Sequence, residues 1–240
     1  MAEVILSVVI PAYNEGAVLP AHLAVLVPLL REICPGGWEV IVVDDGSTDG
    51  TAGVVRNFGH PSVRLLSQAT NRGKGAALRD GMLATRGELV LMCDADMATP
   101  PITLRSFLQA LGPDVDIVIG NRRSPEARIV RRQTLLRSTL GTFYKLLATR
   151  LTGVVVDDVN CGFKLFRGDL ARRLFAQATT SGWAIDIEIL ALAAREGARV
   201  VEVPVEWRAG DKSSVRIVRD TVVTLVHMMQ LYIRLRRLHR

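Results

Sequence analysis

Short apolar runs, each stopped by polar or turn-forming residues and followed by a helical stretch, recur along the chain. Val4 to Ile10 (VILSVVI) ends at Pro11, and a helical stretch then extends to about Ile33. Trp38 to Val43 precedes the helix Thr51 to Phe58, and Val63 to Ser67 precedes a helix that opens near Asn71 and reaches about Ala84. Glu88 to Cys93 is followed by a helix from about Thr103 to Leu111, then by Val115 to Gly120. Later runs are Phe163 to Phe166, the helix Ala184 to Ala194, and Val200 to Val205. Near-continuous apolar strands are those of a sheet covered on both faces. Their alternation with helices predicts an α/β, doubly wound, mostly parallel, Rossmann-like sheet, whose ligands gather at the carboxyl ends of the strands.

The loops at that edge carry the candidate chemistry. Leu89 to Cys93 runs into Asp94-Ala95-Asp96, two carboxylates one residue apart. Hard oxygen donors in this arrangement suit Mg²⁺ or Mn²⁺ better than zinc; a capped turn ahead of Pro100-Pro101 is the alternative. After the first strand, Pro11, Tyr13 and Glu15 are placed to hold a base or ribose, unless Asn14 and Glu15 only cap the next helix. Asp45 is assigned to a ligand hydroxyl or base N–H, and Ser47 to Asp49 to helix capping. Asn71 to Ala77 (NRGKGAA) has Leu78 where a dinucleotide fingerprint needs its third glycine, and no P-loop occurs. What remains is a glycine-permissive loop whose backbone N–H groups and Lys74 suit an anion, or a plain connection.

Composition narrows the classes. With 240 residues, 49% of them hydrophobic, the chain can bury one domain core. The balance of 30 Lys+Arg against 24 Asp+Glu favours phosphate-bearing or membrane-surface partners. Aromatics at 5% leave little for stacking bases, which argues against nucleic acid. Cys34, Cys93 and Cys161 form no C-x-x-C, so reduced cytosolic thiols and no zinc site are expected. Neither a signal peptide nor an apolar segment of spanning length is evident.

The ordered motifs PAYNE, VVDDGSTDGT, NRGKGAAL, DAD, GNR, DDVNCGFKLF and SGWAIDIEIL resemble the nucleotide-sugar glycosyltransferases of family 2, whose fold is called GT-A. The match covers nearly the whole chain. Within the family it looks most like the polyprenyl- or dolichyl-phosphate sugar synthases, and most of all their β-glucosyltransferase branch. By that resemblance Pro11, Tyr13, Glu15, Val43 and Asp45 hold the nucleoside, and Asp94, Ala95 and Asp96 the diphosphate and its metal. Mannosyl synthases of the group often carry Gln two residues after the second Asp. Ala98 stands there in this chain, which disfavours mannose.

Arg122, Arg123, Arg128, Arg131, Arg132 and Arg137 face a single acid, Glu126, between residues 121 and 137. Guanidinium forks match phosphate oxygens two at a time, and the resemblance gives Arg122, with Arg131 or Arg132, to the acceptor phosphate. A phosphomonoester is largely dianionic at neutral pH, so it attacks without a general base. That agrees with His22, His60, His227 and His239 falling in helix or loop stretches away from the edge. Asp158 either orients sugar or acceptor or forms a turn. Asp186 either caps its helix or faces the sugar, and Trp183 either stacks a sugar or is core. Arg208 and Lys212 flank a basic loop that, in the resembled family, folds over the diphosphate.

Residues 1–213 are expected to form the catalytic domain and 214–240 a basic amphipathic helix that contacts a membrane surface or packs on a protein. The expected activity is inverting transfer of glucose from UDP-glucose to a polyprenyl phosphate at the cytosolic membrane face, by a peripheral enzyme of undetermined oligomeric state. GDP-mannose as donor is the alternative within the class. A non-catalytic nucleotide-binding membrane adaptor and a nucleotidyltransferase are the alternatives outside it.

Overall fold

The computed structural model describes residues 4–131, 149, 156–208 and 226–234. Within them the chain forms β1 (Leu6–Ala12), α1 (Leu19–Ile33), β2 (Trp38–Asp44), α2 (Thr51–Phe58), β3 (Val63–Ser67) and α3 (Lys74–Leu83). Then follow β4 (Leu89–Cys93), a 3₁₀ turn (Pro101–Thr103), α4 (Leu104–Ala110), β5 (Ile117–Asn121), β6 (Arg128–Arg131) and β7 (Phe163–Arg167). The last elements are α5 (Gly168–Gln177), α6 (Ile185–Arg195), β8 (Val200–Pro204), β9 (Glu206–Arg208) and a helix over 226–234.

A seven-stranded sheet of order β3-β2-β1-β4-β7-β5-β8 divides two helical layers. All its neighbours are parallel except β7, which runs antiparallel between β4 and β5. The period of two along β1 sorts the core. Leu6, Val8 and Ile10 join α1 and α4 on one face, while Val9 joins α3, α5 and α6 on the other. Gly81 lets α3 lie flat on the sheet, since a Cβ there would meet Val9 and Val43 at 2.5 and 2.7 Å.

β1 continues past the expected stop at Ile10. Pairing with β4 ends at Val9, so Pro11 lies where only β2 is beside it and its missing N–H breaks no second ladder. The antiparallel insertion of β7, helix α5, and the small parallel pair β6-β9 were not foreseen. The period of α5 is legible in Leu170, Leu174 and Phe175, all buried. The partners of β6 and β9 are remote in sequence, and no local pattern marks them.

Residues 226–234 pack on the domain. Met228 and Leu231 enter the core beside α3 and α6, and Val226, Met229 and Ile233 stay exposed. Arg234, grouped in the sequence with the basic flank, turns inward to Glu188 at 2.6 Å. Residues 214–225 lie outside the described residues. Among the described residues no helix is long and apolar enough to cross a membrane.

At the amino edge of the sheet, buried Glu39 accepts from Ser7 Oγ at 2.8 Å and from the Arg86 N–H at 2.9 Å, and pairs with the Arg86 and Arg64 guanidinia. Burial opposes its charge, yet the Ser7 and Arg86 hydrogen bonds and then Arg64 hold the carboxyl below the ordinary glutamate value. A depressed folded-state value contributes stability that is present at neutral pH and lost as pH falls through it. Glu39→Gln is expected to lower unfolding free energy by about 2 kcal/mol at pH 7. It should also flatten the acid limb of a pH series of urea denaturations. Equal stability of variant and wild type at pH 7 would rule this out.

Candidate active site at the carboxyl edge of the sheet

Asp94 leaves β4 beside the turn that enters β7. Its N–H donates to the Gly162 carbonyl at 3.1 Å, and its carboxylate lies where a Cβ on residue 162 would be, so only glycine fits. Lys74, in the first turn of α3, reaches Asp94 at 2.7 Å and Asp186 at 3.9 Å, with the Trp183 ring 5.3 Å away. Lys164, buried in β7, pairs with Asp186 from the other side and donates to the Cys161 carbonyl at 2.7 Å. From half-exposed Asp94 inward, Lys74, Asp186 and Lys164 thus alternate in sign. Burial alone would lower the Lys74 value, but Asp94 and Asp186 outweigh it and raise it well above the lysine norm.

Asp96 follows in a tight turn in which Met97 adopts φ +42°. The Met97 N–H donates to the Asp94 carbonyl at 3.0 Å, and the Ala98 N–H to the Asp96 carboxylate at 3.1 Å. Burial raises Glu15 above the glutamate norm, with Asp96, Asp49 and Asp94 adding to it. Desolvation and then Asp94 raise Asp96. Negative charge therefore accumulates here beyond what Lys74 offsets, and carboxylate oxygens are the donors that a hard divalent ion prefers. Among the described residues no group of three or more His, Cys, Asp or Glu is arranged to hold a metal. The Asp94/Asp96 pair fits an ion that takes the rest of its shell from diphosphate and water.

His22 does not lie away from this edge as expected. From α1 its Nδ1 comes within 2.5 Å of the Ala95 carbonyl, bracing the middle of the acidic turn. A helical histidine gives no sequence sign of which loop it faces. His60 stacks on Trp38, the His227 ring lies beside Gly182, and His239 is outside the described residues.

Arg122 is less available than expected. Its Nε and Nη2 donate to both Asp158 oxygens at 2.6 and 2.7 Å, and its N–H donates to the same carboxylate at 2.9 Å. Burial works against both charges, but Arg122 holds Asp158 below the aspartate norm and Asp158 raises Arg122. Glu202 receives the N–H groups of Asp157 and Asp158 at 2.9 and 3.0 Å, and Trp207 lies 5.4 Å from the guanidinium. Asp158 therefore anchors Arg122 through Nε and Nη2. Arg131 ends β6, and Arg132 and Lys212 lie outside the described residues. The Arg208 N–H donates to the Ala98 carbonyl at 2.9 Å, which brings the end of β9 against the acidic turn.

Pro11 and Tyr13 reach the edge, Tyr13 exposed, but Asp45 and Val43 depart from expectation. Both Asp45 oxygens accept backbone N–H groups, from Arg72 at 2.7 Å and Gly73 at 2.9 Å. The Gly75 and Ala76 N–H groups go to the Ser181 carbonyl at 2.8 and 3.2 Å. The glycine loop thus spends its amides internally, and Lys74 is what it presents. Val43 is fully buried against α3, so its side chain meets no ligand. Asn14, at φ +57°, ties the first loop to the second through the Ser47, Thr48 and Asp49 segment, while Asp49 caps Thr51 at 2.9 Å.

Residues 7–175 match the family model described as Glycosyl transferase family 2. The chain is 39% identical over 229 residues to a dolichyl-phosphate beta-glucosyltransferase of Trichomonas vaginalis, covering 90% of this chain and 67% of that protein. It is 35% identical over 216 residues to the dolichyl-phosphate beta-glucosyltransferase of Homo sapiens, covering 84% and 67%. Among solved structures, glucosyl-3-phosphoglycerate synthase from Mycobacterium tuberculosis with Mn²⁺ and UDP-glucose aligns with a TM-score of 0.69 at 23% identity, over 93% of this chain and 78% of that one. Mannosyl-3-phosphoglycerate synthase from Rubrobacter xylanophilus aligns at 0.70 and 24%, over 99% and 75%. At these identities the two structures speak for the GT-A fold.

A Cβ at residue 162 would displace the Asp94 carboxylate. Gly162→Ala is expected to lower the unfolding free energy by about 1–3 kcal/mol in urea denaturation, since an added methyl in a filled space forces its neighbours to shift. Unaltered stability would show that Asp94 can leave that place freely.

Proposed function

We propose that this chain, which belongs to glycosyl transferase family 2, moves glucose from UDP-glucose to a dolichyl-type polyprenyl phosphate, with inversion, at the cytosolic face of a membrane. The observation that carries this reading is the pair Asp94/Asp96, whose charge Lys74 only partly offsets, in a chain 39% identical to a protein named for glucosyl transfer to dolichyl phosphate. Asp94 and Asp96 would hold Mg²⁺ or Mn²⁺, which supplies charge neutralisation for a departing diphosphate.

The chain's own residues account for the rest. Lys74, already directed at Asp94, adds a fixed positive charge beside the diphosphate. The acceptor arrives as an anion, so a phosphate oxygen forms the new bond to the anomeric carbon while the bond to UDP breaks and its electron pair leaves with UDP. No proton has to be removed, and no side chain here is offered as a base: Asp158 is committed to Arg122, and Asp186 to the two lysines. Arg122, with Arg131 or Arg132, orients the acceptor phosphate. Tyr13 and Pro11 border the nucleoside, and half-exposed Trp183 offers an apolar face to the sugar. Arg208 begins the segment that, with Lys212, covers the diphosphate and limits hydrolysis.

Membrane contact is assigned to the outer side of the C-terminal helix. Val226, Met229 and Ile233 recur at helical spacing on its exposed face, and Arg216, Arg219, Arg236, Arg237 and Arg240 flank it in sequence.

Protein supplied with Mn²⁺, labelled UDP-glucose and a polyprenyl phosphate is expected to move label into solvent-extractable lipid. Asp96→Ala or excess chelator should slow this about 100-fold or more. Labelling of a soluble saccharide instead of the lipid would overturn the acceptor, and faster use of GDP-mannose the donor. Metal and nucleotide binding without turnover would favour the adaptor.

A further inference from the structure

The C-terminal helix and the catalytic edge are joined by a continuous set of polar contacts. Glu188, fully buried in α6, accepts at one oxygen from the Thr179 N–H (3.0 Å) and hydroxyl (3.1 Å), and at the other from the Thr180 N–H (2.7 Å). Arg234 closes the same group from outside, donating to Glu188 at 2.6 Å, to the Thr179 hydroxyl at 2.8 Å and to the Gln177 carbonyl at 2.6 Å. The segment so held is the one that receives the first turn of α3. The Ser181 carbonyl accepts from Gly75 and Ala76, and Cβ atoms on Gly73 or Gly75 would overlap the Ser181 and Thr180 carbonyls. Lys74 lies between those two glycines, and the next residues of the segment bring Trp183 to its ammonium. The His227 ring, from the same C-terminal helix, fills the space beside Gly182.

We infer that Arg234 and Glu188 are positioning residues: the C-terminal helix, seated through them, sets the 179–183 segment, which fixes the first turn of α3 and so the placement of Lys74 at the donor diphosphate. The inference rests on the reading that Lys74 faces the donor. Neither residue touches substrate. Their effect passes through backbone carbonyls that only glycines at 73 and 75 can approach so closely, and this gives the linkage little slack. α6 carries both ends of the arrangement, with Asp186 3.9 Å from the Lys74 ammonium and Glu188 bonded to the segment. A helix that resembles an appendage in the sequence is thereby part of the donor site's frame.

The test compares Arg234→Ala, Arg234→Lys, Glu188→Gln and, as a control at the opposite edge of the sheet, Glu39→Gln. Arg234→Ala is expected to raise the KM for UDP-glucose about tenfold with kcat and the acceptor KM changed less than about threefold, the signature of lost ground-state placement of the donor. Arg234→Lys, which keeps the charge and some of the donors, should recover part of that affinity. Glu188→Gln, which retains an acceptor for the threonine amides, should fall between wild type and Arg234→Ala. Hydrogen exchange should report exchange at the Gly75 and Ala76 amides that is faster in Arg234→Ala than its loss of global stability accounts for, and no such excess in Glu39→Gln. An unchanged donor KM and unchanged exchange in Arg234→Ala would overturn the inference, as would an equal rise in KM in Glu39→Gln. Should Arg234→Ala fail to fold, Arg234→Lys and Glu188→Gln carry the same comparison. Wild-type protein that uses no nucleotide sugar would defeat the functional reading instead, and the amide exchange would still decide the linkage.

Discussion

The carboxylate of Asp94 occupies the space where Gly162, at the turn into β7, lacks a side chain, and Lys74 pairs with it there at 2.7 Å. Nearly everything at the catalytic edge follows from that arrangement. A buried lysine without an anion beside it would lose its proton, and Asp94 and Asp186 keep Lys74 charged. The alternation of Asp94, Lys74, Asp186 and Lys164 ties four elements of the sheet and its helices to one line of charge. Asp96 stands exposed at the end of this line, in a turn where Met97 adopts φ +42°.

A second ion pair has the same logic but a different consequence. Arg122 and Asp158 satisfy each other through two side-chain bonds, and Glu202 fixes the loop that presents Asp158. Removing either member would strand a buried charge, a cost of several kcal/mol, on the order of 3–5. The pair is therefore a rigid wall of the site, held by charge on both sides.

The glycines of the site form a third theme. Gly73, Gly75 and Gly162 each stand where backbone or a carboxylate comes too near for a Cβ. In the sequence Gly73 and Gly75 look like part of a loop built to wrap an anion. In the fold, the amides around them are consumed by Asp45 and Ser181, and what these glycines provide is close approach and, at Gly73, a φ of +97°.

The sequence by itself determined the alternation of strands and helices, the parallel sheet with its ligand edge, and the acids at the end of β4. These follow from periodicity and from the fact that successive parallel strands present their carboxyl ends on one side. Motif order also carried the family, because PAYNE, DAD and CGFK mark loops of that same edge. Only the tertiary structure decided the charges' partners. Lys164 lies within the CGFK run, His22 within a helical stretch, Glu188 within an apolar helix and Arg234 within the basic tail, and none of these settings names a partner. Each acquires its meaning from an atom 22 to 73 residues away in the chain. Hydrophobic period records which face of an element is buried; it holds no record of which other element lies against that face, and for a buried charge that neighbour is the whole of its energetics.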